Sequence, residues 1–119
     1  MMSAAIIDDN PDDREWLRDL CEQLGITRVT DFEDGPSAIQ FLTEKHVNYI
    51  LLDNILHAER GLSFVPQIRV RSPNAKIVLV TGASTSGVEV ICRTFKISCL
   101  QKGDLTPETL EAALKEKLE

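Results

Sequence analysis

Short apolar runs alternate along the chain with longer stretches whose apolar residues recur every three or four positions. The runs are Ala4-Ala5-Ile6-Ile7, Ile26 to Val29, Tyr49-Ile50-Leu51-Leu52, Ile77-Val78-Leu79-Val80 and a weaker one from Ile97 to Leu100. Apolar runs that are continuous, without alternation, predict strands covered on both faces, as in a parallel sheet. The stretches between them predict helices. Asn10-Pro11-Asp12-Asp13 is a helix start: a capping Asn, Pro at the first position, then acids in the positive first turn. The stripe Leu17, Leu20, Cys21, Leu24 follows, and Gly25 ends it. Pro36 to Glu44 predicts a second helix and Leu62 to Arg71 a third, with Pro66 tolerable only in a first turn. Val88, Ile91, Cys92 and Phe95 mark a fourth. Thr106-Pro107 starts a fifth, with Leu110, Ala113, Leu114, Lys117 and Leu118 as its stripe.

Five strand–helix units in a row predict a three-layer α/β fold with right-handed crossovers. The expected architecture is a (βα)5 doubly wound parallel five-stranded sheet of flavodoxin-like order 2-1-3-4-5. At 119 residues the chain is expected to form one domain, 1–119. It is long enough to bury roughly two-thirds of the surface its unfolded form exposes.

Composition narrows the classes. A hydrophobic share of 43% and a charged share of 27% exclude disorder. No apolar run approaches the roughly 20 residues of a membrane span. The start, Met1-Met2-Ser3-Ala4, has no basic segment, so no signal peptide is expected and the location expected is cytoplasmic. A net charge of −6 disfavours direct nucleic-acid binding. Cys21, Cys92 and Cys99 are odd in number and stand at no metal-ligand spacing, so reduced thiols are expected.

In a sheet of this order, ligands bind beyond the carboxyl ends of the strands, where the strand order reverses. The residues that follow the runs are therefore the informative ones: Asp8 and Asp9, then Asp53, then Thr81 and Gly82, then Lys102 and Gly103. Neighbouring first and third strands would bring Asp8, Asp9 and Asp53 together. Like-charge pairs about 5 Å apart each cost roughly 3 kcal/mol at an effective dielectric near 20. Such a cluster calls for a proton or a hard cation, and oxygen ligands with open water positions suit Mg²⁺. With Lys102 and the Thr81 hydroxyl beside it, the cluster suits a phosphoryl group under transfer, with a carboxylate as nucleophile.

On these residues the chain resembles the receiver domain of two-component response regulators, over its whole length. The likeness rests on the acidic pair Asp8-Asp9, on Leu51-Leu52-Asp53-Asn54-Ile55-Leu56 with Gly61-Leu62 following, on Ile77-Val78-Leu79-Val80-Thr81-Gly82-Ala83, and on Leu100-Gln101-Lys102-Gly103. The resemblance implies a signalling switch, not a metabolic enzyme. In it Asp53 is phosphorylated by a histidine kinase or a histidine phosphotransfer protein. Asp9, Asp53 and the backbone carbonyl of Ile55 would bind Mg²⁺ directly, and Asp8 through water. Thr81 would hydrogen-bond the phosphoryl oxygen and Lys102 would pair with it. The loop from Gly82 to Gly87 would then move and repack the surface of the fourth helix, fifth strand and fifth helix toward a downstream target or output domain. A homodimer through that surface is a habit of the family.

Several residues depart from the family pattern. His57 stands where Pro is usual, and Gly103 replaces a common Pro. Cys99 replaces the aromatic that commonly swings between exposed and buried, and with Gly82 it marks the variant switch positions. Ile55 and Ala83 stand where polar residues often position hydrolytic water, which implies slower loss of the phosphoryl group.

Other readings of the same residues are a degenerate receiver that only binds a partner, and an N-terminal receiver cut from a larger output protein. A phosphohydrolase on a similar fold would need a second acid where Ile55 stands. His46 and His57 are expected as exposed bystanders, Trp16 as packing, and Glu111 with Lys115 as an i,i+4 pair.

Overall fold

The computed structural model of the chain describes residues 2–57, 59–82 and 86–118. Strand β1 (Ser3–Ile7) leads to helix α1 (Pro11–Gln23), then β2 (Arg28–Phe32), α2 (Gly35–Glu44) and β3 (Tyr49–Leu52). A small antiparallel ladder, Ile55–Leu56 against Glu59–Arg60, and a 3₁₀ turn, Gly61–Phe64, precede α3 (Val65–Arg71). The chain closes with β4 (Lys76–Thr81), α4 (Ser86–Phe95), β5 (Ser98–Gln101), a second 3₁₀ turn (Lys102–Asp104) and α5 (Pro107–Lys115). The five strands form one parallel sheet in the order β2-β1-β3-β4-β5, as the sequence pattern predicts.

Successive residues of a strand face opposite sides of the sheet, and here both sides are covered. Ala5, Ile7, Ile50, Leu52, Ile77 and Leu79 pack with Ala38 and Leu42 of α2, Val65 and Ile68 of α3, and Cys92 of α4. Ala4, Ile6, Leu51, Val78 and Val80 pack with Leu17, Leu20 and Cys21 of α1 and with Leu110 and Leu114 of α5. That two-sided burial is why the central runs read as unbroken apolar sequence.

The edge strand differs. The second run, Ile26 to Val29, predicts a strand that the structure moves to Arg28–Phe32. Ile26 instead plugs the α1/α5 core just before the strand, and an edge strand with no fully buried position has no need of a continuous run. Asp31 in it accepts from Arg14 Nε at 3.0 Å and Arg18 Nη2 at 2.8 Å, which fastens α1 to the edge.

Helix starts follow the expected chemistry. Asn10 Oδ1 accepts from the backbone N–H of Asp12 (2.8 Å) and Asp13 (3.3 Å), and Gly25 takes φ 81° just after α1. Thr106 and Thr109 cap α5 reciprocally. The third helix becomes α-helical only at Val65, after the 3₁₀ turn, which places Pro66 in the first turn where its missing N–H is harmless. Helix α5 ends at Lys115, so Lys117 and Leu118 lie past the stripe predicted for them. Ile91 (42% exposed) and Trp16 (38%) lie more open than their expected packing roles. Of the loop expected over 82–87, Ser86 and Gly87 belong to α4, and Ala83, Ser84 and Thr85 lie outside the described residues. Glu111 and Lys115 pair at 3.7 Å on an exposed face. Among the described residues no helix is long and apolar enough to cross a membrane.

The segment after β3 is held by one glycine. The Gly61 N–H donates to the Asn54 carbonyl at 2.6 Å, and a Cβ on Gly61 would fall 1.8 Å from the Asp53 carbonyl oxygen. The obstacle is backbone, so it cannot rotate away. Gly61→Ala is expected to destabilise the fold by about 1–3 kcal/mol, the usual cost of forcing extra volume into a packed place. Gly103→Ala, with open space around its Cβ position, should be close to neutral. Thermal melts of the two variants beside the parent check this.

Candidate functional site

The acids, the hydroxyl and the lysine singled out in the sequence lie at the carboxyl edge of the sheet. Asp8 and Asp9 follow β1, Asp53 follows β3, Thr81 ends β4 and Lys102 follows β5. The ladder itself sets the ends of β1 and β3 level: the Asp53 N–H donates to the Ile7 carbonyl at 2.8 Å, and Ile7 pairs with Leu52. Asp8, Asp53 and Thr81 are all buried. One carboxylate oxygen from each of Asp8, Asp9 and Asp53 lies within 4.8 Å of the others.

Among the described residues, one lysine sits among the acids. Lys102 Nζ lies 2.9 Å from Asp8 Oδ2, 2.7 Å from Asp13 Oδ2 and 3.4 Å from Asp53 Oδ2. Backbone donors hold the other oxygens. Asp8 Oδ1 accepts from the Asn10 N–H (2.9 Å), Asp53 Oδ1 from the Ile55 N–H (3.4 Å) and Asp9 Oδ2 from the His57 N–H (3.1 Å). Buried Asp8 Oδ2 receives no hydrogen bond of good angle although the ammonium is near. Three clustered carboxylates with an under-satisfied buried oxygen fit a hard divalent cation.

The family model for the response regulator receiver domain matches residues 4–115. The chain belongs to that family. It is 32% identical over 116 residues to a probable C4-dicarboxylate response regulator, DctR, of Halalkalibacterium halodurans, an alignment that covers 96% of this chain and 50% of the relative. The chain thus spans about half the length of the curated relative it matches. In fold it is similar to a Burkholderia pseudomallei response regulator solved with a phosphorylated aspartic acid, a calcium ion and citrate (TM-score 0.88, 23% identity, 97% of this chain and 67% of that one). It is also similar to a CheY-like receiver domain protein from Methanospirillum hungatei (TM-score 0.86, 20% identity, 99% and 94%). The acidic pocket of this receiver domain fits the phosphoacceptor site of a two-component response regulator.

The receiver's electrostatics follow from that crowding. Burial, and then the charge of Asp8, push the Asp53 carboxyl up to about 6, against the pull of Lys102 and the Ile55 N–H. Burial works against the charge of Lys102, but its bond to Asp13 and the nearby charges of Asp8 and Asp53 outweigh it, and the ammonium is held above the ordinary lysine range.

Sequence reasoning missed three contributors. Asp13 reads as a helix-start acid, yet it makes the shortest contact to Lys102. An acid one helical turn after the Asp9 pair, on a helix that starts over the site, is the signal that marks it. Arg14 Nη1 donates to the Asp8 carbonyl at 2.8 Å and steadies the acidic turn, and nothing local predicts that. Asn54, buried, accepts from the Leu62 N–H at 3.4 Å and closes the loop below Asp53. His57 is exposed as expected and stands beside Asp9. It takes φ 44°, donates its N–H to Asp9, and its Nδ1 lies 3.9 Å from the same oxygen. Ile55 is 52% exposed beside the pocket. Cys99 lies half-buried against the α2/α3/α4 core, and its thiol meets that of Cys92 of α4. Gly82 is exposed directly after Thr81, and Ala83 falls outside the described residues.

The raised Asp53 value has a consequence for stability. With a folded value of about 6 against an ordinary 3.8, the folded state holds this proton more tightly than the unfolded chain does. Stability is therefore full below the ordinary value and falls as pH rises through about 6. Asp53→Asn should be more stable than the parent near pH 7.5 without divalent cations, by about 1–3 kcal/mol at 1.36 kcal/mol per unit, and the gain should shrink toward pH 4. Added Mg²⁺ should stabilise the parent more than the variant. Denaturant titrations at the two pH values, with and without Mg²⁺, measure both effects.

Proposed function

We propose that residues 1–119 form one receiver domain in which Asp53 accepts a phosphoryl group from a histidine kinase or histidine phosphotransfer protein. The observation that carries the reading is the convergence on one buried carboxylate, that of Asp53, of two acids from the end of β1 and a lysine from the end of β5. A carboxylate oxygen of Asp53 attacks phosphorus, the donor's P–N bond breaks, and the imidazole leaves. Asp9, Asp53 and the backbone carbonyl of Ile55 would hold Mg²⁺ directly and Asp8 through water. Bound there, Mg²⁺ supplies the positive charge that lets an anionic phosphoryl group approach carboxylates. Lys102 pairs with a phosphoryl oxygen, and the buried Thr81 hydroxyl hydrogen-bonds another.

Thr81 and Gly82 lead out of β4 toward α4, so movement at Thr81 reaches the α4–β5–α5 surface, where Cys99 stands in place of a swinging aromatic. That surface meets a downstream protein target, an output domain or a second copy of the chain. The protein works in the cytoplasm as a phosphorylation-controlled switch. Its own chemistry is limited to taking up and losing the phosphoryl group, so it is not a metabolic enzyme, and it binds neither nucleic acid nor membrane directly.

Acetyl phosphate tests the reading. Intact mass should show one added phosphoryl group on the parent only when Mg²⁺ is present, and none on Asp53→Asn. A parent that binds Mg²⁺ and gains no phosphoryl group from any donor would sink it. A second expectation concerns lifetime. Ile55 is apolar and exposed beside the pocket and Ala83 is apolar in sequence, so neither supplies a polar group to place attacking water, and the pair Ile55→Asn, Ala83→Glu should shorten the life of the acyl phosphate severalfold. The decay of the adduct's mass signal, followed in time, checks this.

A further inference from the structure

Lys102 is shared with a residue that has no place in holding a metal or a phosphoryl group. Its shortest contact runs to Asp13 Oδ2 in α1, at 2.7 Å, against 2.9 Å to Asp8 and 3.4 Å to Asp53. An ammonium has three N–H donors and no acceptor; here it donates to Asp13 and Asp53 and forms an ion pair with Asp8. The Asp13 side chain is 27% exposed and that of Lys102 16%, so solvent screens this pair less than an open surface pair. The place of Asp13 is itself set, because its backbone N–H donates to the capping Asn10 Oδ1.

If Lys102 is to pair with a phosphoryl group on Asp53, it has to change partners. Asp8 and Asp53 are engaged at that moment in the acidic pocket. Asp13 is not, and its carboxylate competes with the phosphoryl group for the ammonium. We infer that Asp13 is a positioning residue that works as a latch: it holds Lys102 back from the phosphoryl position and lowers the affinity of the site for the phosphoryl group. The inference rests on the phosphoacceptor reading of Asp53. It makes α1, through one side chain, a setting for how easily the switch turns on.

The test uses beryllium trifluoride, a phosphoryl mimic, titrated with Mg²⁺ present into the full chain and its variants by calorimetry. Asp13→Asn should bind it roughly three- to tenfold more tightly, the scale of one partly buried charge pair. Asp13→Ser should do the same, and serves if the Asn variant folds poorly. Asp13→Glu, which returns a carboxylate on a longer arm, should bring the affinity back toward the parent's. With Lys102→Ala in the background, Asp13→Asn should alter affinity by less than about twofold, because the effect passes through the lysine. Unchanged or weaker binding by both Asp13→Asn and Asp13→Ser overturns the latch. Equal tightening with and without Lys102 also overturns it, since Asp13 would then act on the anion by its own charge. A parent that takes up neither beryllium trifluoride nor a phosphoryl group from acetyl phosphate overturns the phosphoacceptor reading instead, and the latch falls with it.

Discussion

One ammonium among carboxylates governs the upper edge of this molecule. Lys102 lies within 3.4 Å of Asp8, Asp13 and Asp53, and Asp9 closes the same pocket. Taken alone, the acids would repel strongly in so buried a place. The lysine offsets part of that repulsion, while burial first and the Asp8 charge second still push the Asp53 carboxyl up to about 6. A pocket with carboxylates left in excess over the lysine has the charge that suits a hard cation. A fully neutralised pocket would have little reason to bind one.

The rest of the fold keeps those groups in place. Parallel strands set side by side deliver Asp8 and Asp53 at one level, and two-sided burial leaves the strands little freedom to slip register. Gly61 lets the chain pass against the Asp53 carbonyl, where any side chain would strike backbone. Arg14 does two jobs with one guanidinium, bonding the Asp8 carbonyl and Asp31 of the edge strand. The phosphoacceptor pocket therefore depends on α1 and β2 as well as on the strands that carry its acids.

Much of this was legible in sequence. Alternation of apolar runs and amphipathic stretches predicts the sheet and its order, because central parallel strands are buried on both faces and their composition records it. Asp8, Asp9, Asp53, Thr81 and Lys102 could be singled out because each directly follows a run, and strand ends in such a sheet face the ligand. The edge strand was misplaced for the converse reason: a half-buried strand leaves a weaker apolar mark than the buried Ile26 beside it.

What the sequence determined by itself was the local and periodic part: element types, caps at Asn10 and Thr106, and which acids and which lysine end up on one edge. The tertiary structure alone decided which partners those charges take. Lys102 and Asp13 are 89 positions apart in the chain, Lys102 and Asp53 49, and His57 and Asp9 48. Periodicity describes neighbours along one helix or strand. The bonding of a side chain across such distances is set by helix entry angles and loop paths, which the packing of the whole core fixes.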